Sequence, residues 1–309
     1  MRFIEFAAEI AEKAGYPPGI DSGRIVLHVN GSDEPVFVTS LGRTHNADWI
    51  VEFAHWRVQL GKDPPGLLEL FSYPFLGRVP YCRFANWTYA LGPSGDYLLG
   101  AINRVRSSEL DSSVFIEIIS SIEREVEFYN EHIRVARQHT ENSRLPPTPP
   151  SPVFNVNAIR LIRDQAVALG WRIVTLKDGR LFMGFPRHGG VDEIFISMHS
   201  HERDGDVIVE FTSGGMTLSD DDKQSRTTAS EYLKRNHQAL FVAWGMEPDS
   251  VHEKTIKLYR RLRLSRLSDA AFWNVVSDIR RECEAVEFTV HPRTILSNAE
   301  ILEVAGGSE

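Results

Sequence analysis

The sequence predicts an α+β protein built as two tandem domains, each an antiparallel sheet packed with helices. Three observations carry that expectation. The stretch Leu145-Pro-Pro-Thr-Pro-Pro-Ser-Pro152 places five prolines in eight residues. Proline lacks an amide hydrogen and fixes φ, so the run cannot continue a helix or pair inside a sheet and reads as a semi-rigid spacer. On both sides of it, helical stripes alternate with short apolar strands. The order of those elements before the prolines recurs after them. The expected boundaries are a domain over 1–135, a linker over 136–152, a second domain over 153–291 and a tail over 292–309.

In the first half, Phe3, Ile4, Ala7, Ala8, Ile10, Ala11 and Ala14 fall on one helical stripe that Gly15 ends, with Pro17-Pro18 beyond it. Arg24–Val29 and Pro35–Thr39 read as strands joined by the turn Asn30-Gly-Ser-Asp33, and Asp48–Phe53 as a third. Leu67, Leu68, Leu70 and Phe71 suit a short helix that Pro74 would end. Tyr81–Ala90 and Tyr97–Ile102, separated by Gly92-Pro-Ser-Gly-Asp96, form a hairpin. A long helix closes the half, capped by Asp111 or Ser112, with Val114, Phe115, Ile118, Ile119, Ile122, Val126 and Tyr129 as its apolar stripe.

The second half opens on a helix over Val156–Leu169 that Gly170 ends. Trp171–Leu176, Leu181–Phe185, Glu193–Met198 and Val207–Thr212 read as strands, followed by a polar stretch over Gly214–Arg226. Thr228–His237 reads as a helix, and Ala239–Trp244 and Lys254–Leu264 as an antiparallel pair. In the last strand Ile256, Leu258, Leu262 and Leu264 share one face, while Lys257, Tyr259, Arg261 and Arg263 share the other. A final helix runs over Asp269–Val286.

The correspondence is tightest near the ends of the halves. Trp87–Arg106 followed by Phe115–Tyr129 matches Phe241–Arg263 followed by Phe272–Glu287, and Val51-Glu-Phe53 matches Val209-Glu-Phe211. The order helix, three strands, helix, two strands, helix resembles the bacterial type III secretion chaperone fold and the related YbjN-type family. The resemblance is carried in the second half by Ala239–Trp244, Ile256–Leu264 and Leu267-Ser-Asp-Ala-Ala-Phe272. In the first half it is carried by Phe84–Leu91, Leu98–Val105 and Leu110–Phe115. It implies a chaperone-like module that holds a polypeptide and dimerises. Two copies in one chain then imply an internal pseudo-dimer, with a homodimer as the other possibility.

Composition narrows the function classes. With 42% hydrophobic and 25% charged residues, each half can build a core of its own. The net charge is -8, and residues 1–135 hold 12 Lys/Arg against 18 Asp/Glu, which argues against non-specific nucleic-acid binding. Two cysteines, one per half, make no disulfide framework. The N-terminal residues carry acids where a signal peptide needs an apolar run, and no stretch reaches the roughly 18 apolar residues of a membrane span. Cytoplasmic location is the expectation.

No catalytic motif stands out. His188, His199 and His201 are close in sequence, and His199 and His201 would share a strand face at a metal-compatible spacing, but no third ligand is defined and a polar loop before Asp204-Gly205 is the favoured reading. Asp220-Asp-Asp222 lacks the oxygen spacing of a calcium loop, Gly214-Gly215 matches no phosphate loop, and no Gly-x-Ser-x-Gly elbow occurs. We therefore expect no catalytic residues, no metal and no cofactor.

The expected partner-binding residues are the aromatics Trp87 and Trp244, at like points of the repeat, and the basic strand face of Lys257, Tyr259, Arg261 and Arg263. That face could meet a protein or peptide partner, the acidic first half, or single-stranded nucleic acid, or it could be a solvated edge. The alternative function is an enzyme with a polar pocket between the halves, which a converging set of Asp, His or Arg would favour.

Overall fold

The computed structural model describes residues 2–29, 33–59, 75–81, 84–137, 153–187, 190–200, 206–219, 223–248, 253–286 and 301–302. The chain forms two compact α+β units, each an antiparallel sheet packed with helices. One unit comprises Met1–Thr148 and Asp221–Met246, the other Pro149–Asp220 and Glu247–Glu309. The first division falls inside the proline run. The second corrects the expected boundaries, because residues 221–246 of the expected second domain pack in the first unit.

In the first unit, helix α1 (Phe3–Lys13) buries Phe3, Ala7, Ile10 and Ala11. It stops where Gly15 takes φ +84°, a left-handed angle that costs glycine nothing, and Tyr16 N–H closes onto Ala11 O at 2.9 Å. Four strands follow: β1 (Gly19–Asp21), β2 (Arg24–Leu27), β3 (Val36–Arg43) and β4 (Trp49–Gln59). The turn expected at Asn30–Asp33 and the short helix expected at Leu67–Phe71 lie largely or wholly outside the described residues; Phe75 and Leu76, in a helical turn at 75–78, are fully buried.

The hairpin is β5 (Asn86–Leu91) and β6 (Tyr97–Arg106), and helix α2 (Ser112–Arg137) closes the pattern, with Asp111 accepting from the Val114 amide as its cap. The strand order is β1-β2-β3-β4-β6-β5. Strand β1 escaped the sequence reading because all three of its residues are exposed, so no burial pattern marks it. The core lies between the sheet and the two helices, from Phe3 and Ala11 through Val38, Val51 and Phe53 to Phe115, Ile119 and Val126.

The second unit repeats this. Helix α3 (Val156–Ala168) ends at Gly170, φ +72°, with Trp171 N–H on Ala166 O at 2.8 Å. Strands β7 (Val174–Leu176), β8 (Leu181–Arg187), β9 (Gly190–Ser200) and β10 (Val207–Ser219) follow. The polar stretch expected over Gly214–Arg226 begins as strand: a bulge between Ser213 and Met216, with Gly214 at φ +79°, lets β10 run on to Ser219.

Beyond β10 come helix α4 (Lys223–Arg235) and strand β11 (Ala243–Pro248), which begins four residues later than expected. The pattern ends with β12 (Glu253–Arg263) and helix α5 (Asp269–Ala285). The order is β12-β10-β9-β8-β7, with β11, whose Glu247 and Pro248 fall in this unit, beside β12. The order of the first sheet, 1-2-3-4-6-5, is thus the order 7-8-9-10-12-11 of the second. One strand is extra: β13 (Ile301–Leu302) pairs antiparallel with β7.

Candidate functional site

The two halves share a six-residue motif. Asp48-Trp-Ile-Val-Glu-Phe53 and Asp206-Val-Ile-Val-Glu-Phe211 differ at one position of six. Each member does the same work in its unit. Phe53 meets Phe115 edge-on with ring centroids 5.2 Å apart, and Phe211 meets Phe272 at 5.7 Å. Tyr16 and Trp171 then pack on those helix phenylalanines at 5.9 and 5.6 Å. Asp48 accepts from Ser108 Oγ at 3.0 Å and Asp206 from Ser265 Oγ at 2.5 Å, each tying the start of one strand to the turn after its partner.

The glutamates are the polar centre of each sheet. Glu52 stands opposite Arg104 in the β4–β6 ladder, and Glu210 opposite Arg261 in the β10–β12 ladder. The ion pairs measure 2.6 and 2.5 Å and are nearly buried. On the other side of each glutamate a hydroxyl residue completes the row, Thr39 in one sheet and Ser197 in the other. Burial alone would raise the pKa of Glu210, but Arg261 and the hydrogen-bonded His199 outweigh it and hold the carboxyl at about 2.

Around Glu210 lie a serine and a histidine, the side chains of a hydrolytic relay. Ser197 Oγ is 3.2 Å from His199 Nε2, and that same nitrogen is 3.5 Å from Glu210 Oε1. A relay needs the hydroxyl on one ring nitrogen and the acid on the other. Here both face Nε2, while Nδ1 is buried without a partner. The set is a buried hydrogen-bond network around an ion pair. His188 and His201 lie outside the described residues, and among the described residues no three His, Cys, Asp or Glu side chains gather as metal ligands.

The residues expected to bind a partner are buried or paired within the chain. Trp87 is 1% exposed: its indole N–H donates to Glu125 Oε2 at 2.7 Å, and the Phe75 ring packs on it tilted, with centroids 4.3 Å apart. Trp244 is fully buried against Tyr232. They form no open aromatic groove.

The basic face of β12 is likewise matched from within its own sheet. Lys257 and Tyr259 both donate to Glu247, at 2.6 and 2.7 Å, Arg261 pairs with Glu210, and Arg263 lies 3.9 Å from Asp206. Burial, together with Glu247, raises the Tyr259 pKa, so its hydroxyl stays a donor. The expected solvated or nucleic-acid-facing surface is therefore a half-buried ladder of cross-strand pairs. Its acids sit on β10, on β11 and just before β10, from ten to more than fifty residues away, where strand periodicity cannot point to them.

Within the first unit, α4 and the turn after it are seated on β5 and β6 by polar contacts that the sequence did not mark. Thr88 Oγ1 donates to Leu233 O at 3.1 Å. Arg104 donates to the carbonyls of Ala239 and Asn236, at 2.6 and 3.4 Å, a cation at the helix C-terminus where the dipole favours it. Asn236 donates to Trp87 O and Trp244 O and accepts from the Trp244 amide. Arg106 stacks on Phe241 at 3.9 Å, and Trp56 meets His237 edge-on. Burial and the nearby Arg104 lower the His237 pKa.

The edge of the second sheet carries a further feature. Leu176 directs its N–H to Arg180 O and its carbonyl to the Gly179 amide, so by alternation Thr175 faces outward, and Leu302 is its ladder partner. Comparison with protein-family models, curated proteins and solved structures gave no match. Among the described residues no helix is long and apolar enough to cross a membrane.

Proposed function

We propose that this chain is a non-catalytic, chaperone-like protein that holds an extended polypeptide segment, in the manner of the secretion-chaperone and YbjN-type families it resembles. In such a reading it works in a bacterial cytoplasm and needs no cofactor. The observation that carries it is the β13–β7 pairing. The second sheet holds a short extended segment from far along the chain by backbone pairing at its edge, which is how β-strand addition captures peptides. The recurrence of a helix, four strands, a two-stranded hairpin and a closing helix in both halves supports the family resemblance. The Ser197–His199–Glu210 geometry speaks against the hydrolytic form of the enzyme alternative.

The test is affinity capture by the purified full chain from a lysate of its source cells, followed by mass spectrometry and rebinding with the captured polypeptide made recombinantly. A polypeptide that rebinds directly is the expected result. Repeated recovery of a metabolite or metal ion with no polypeptide would overturn the proposal.

A further inference from the structure

We propose that the outer edge of β7, at Val174–Leu176, is the polypeptide-binding site, and that Ile301–Leu302 is an internal pseudo-ligand that an incoming extended segment displaces. This rests on the polypeptide-binding reading and gives it a place, a ligand chemistry and a regulation.

The duplication supplies the internal control. Strands β1 and β7 hold the same place in sheets of the same order. Each is a three-residue strand that turns directly into its neighbour, through Ser22-Gly23 in one case and Lys177-Asp178-Gly179 in the other. Asp21 closes the first turn opposite Arg24, so Ile20 is the residue whose backbone faces out, as Thr175 does in β7. Among the described residues, β1 carries no added strand, and its sheet has the full strand order without one. The fold therefore does not require a strand at this position. Strand β13 is an addition, and among the described residues it engages β7 through two residue pairs, Ile301–Leu176 and Leu302–Thr175.

The geometry also states what the ligand is. It must run antiparallel to β7 and be extended over at least two residues. It must also offer a free backbone N–H and C=O opposite Thr175, so proline is excluded there. Ile301–Leu302 meets these terms, and a peptide of the surrounding sequence, Asn298-Ala-Glu-Ile-Leu-Glu-Val-Ala305, is the natural probe.

The experiment compares the full-length chain with its Leu302→Pro variant, which removes the amide opposite Thr175 and leaves the rest of the chain in place. A fluorescein-labelled synthetic peptide of residues 298–305 is titrated with each and followed by anisotropy. Hydrogen exchange over residues 173–177 is measured with and without unlabelled peptide. The expected result is at least tenfold tighter peptide binding by Leu302→Pro, faster exchange at Thr175 in that variant, and restored protection when peptide is added. Equal affinity for both proteins, no binding by either, or binding without protection at 174–176 would each overturn the proposal. A captured polypeptide that binds both proteins equally, and that the peptide does not compete away, would sink this site while leaving the polypeptide-binding function standing.

Discussion

Asn236 donates its side-chain amide to the backbone carbonyl of Trp87 at 3.0 Å, across 149 residues of sequence. The same side chain donates to Trp244 O at 2.9 Å and accepts from the Trp244 amide at 2.6 Å. One buried asparagine thus ties Trp87 and Trp244 within the first unit, and it fixes the turn after α4 on the first sheet. Truncating it removes a side-chain partner from two carbonyls and an amide in a dry environment. Asn236→Ala is expected to lower stability by about 2–4 kcal/mol, given about 1–3 kcal/mol for each buried group left unsatisfied. Urea unfolding of the full chain checks this. A loss below about 1 kcal/mol would show that the seat of α4 does not depend on Asn236.

The two glutamate–arginine pairs make a matched test of one interaction in two settings. Arg104→Met and Arg261→Met each strand a nearly buried carboxylate, and each is expected to cost about 3–5 kcal/mol. Adding Glu52→Gln or Glu210→Gln to the matching arginine variant should recover part of that loss, because the uncompensated charge is then gone. Arg104→Met should be the harsher of the two within the contacts described for each unit, since Arg104 also donates to two carbonyls beyond α4. A double-mutant cycle with no coupling in either sheet would show that the pairs are incidental.

Acid should destabilise the fold in two steps. Glu210 sits at about 2 in the folded chain against an ordinary 4.5, so its contribution is complete above 4.5 and is lost as pH falls toward 2. His237 is depressed below its ordinary 6.5, so the unfolded chain takes up its proton first and stability falls as pH drops below 6.5. Urea unfolding at stepped pH should show both losses. Glu210→Gln should flatten the lower limb and leave the upper one, and His237→Gln should do the reverse. An acid limb unchanged in Glu210→Gln would refute the assignment.

Two glycine substitutions separate steric from conformational cost. A Cβ on Gly100 would sit 2.6 Å from His55 O and 2.7 Å from Trp56 Cε3, so Gly100→Ala forces β6 and β4 apart and should cost at least about 2 kcal/mol. At Gly170 a Cβ meets nothing within 4 Å, and only the φ of +72° resists it, so Gly170→Ala should cost about 1–2 kcal/mol. Thermal or urea unfolding that ranked Gly170→Ala as the more damaging would contradict the packing at the β4–β6 ladder.

Much of the architecture was legible in local pattern. The helical stripe ending at Gly15 and its counterpart ending at Gly170 announce the same capped helix, because a glycine after an apolar stripe marks the left-handed stop. The recurrence of Val-Glu-Phe located β4 and β10 and pointed to the duplication. What escaped the sequence were elements with no burial rhythm. Strand β1 is exposed throughout, the strand beyond Gly214 reads as polar, and β13 is two residues in a stretch that looked like a tail.

The internal pairing of the expected partner-binding residues is illegible in the sequence for a different reason. An alternating Lys257, Tyr259, Arg261 and Arg263 looks the same whether it faces solvent or a row of acids. Glu210 and Arg261 are 51 residues apart, and only the pairing of β10 with β12 brings them together. The two tryptophans were singled out correctly as equivalent positions, but large aromatics mark a core as readily as a groove.

By itself, the chain's pattern of apolar and polar residues determined the elements, their order and the copying of one α+β unit, because periodicity and caps act over a few residues. Tertiary structure alone decided that α4 belongs with the first sheet, that the basic strand is neutralised, and that one sheet edge holds a strand while its counterpart carries none among the described residues. Those outcomes depend on which backbone groups and charges meet across tens to hundreds of residues, and local sequence carries no record of such meetings.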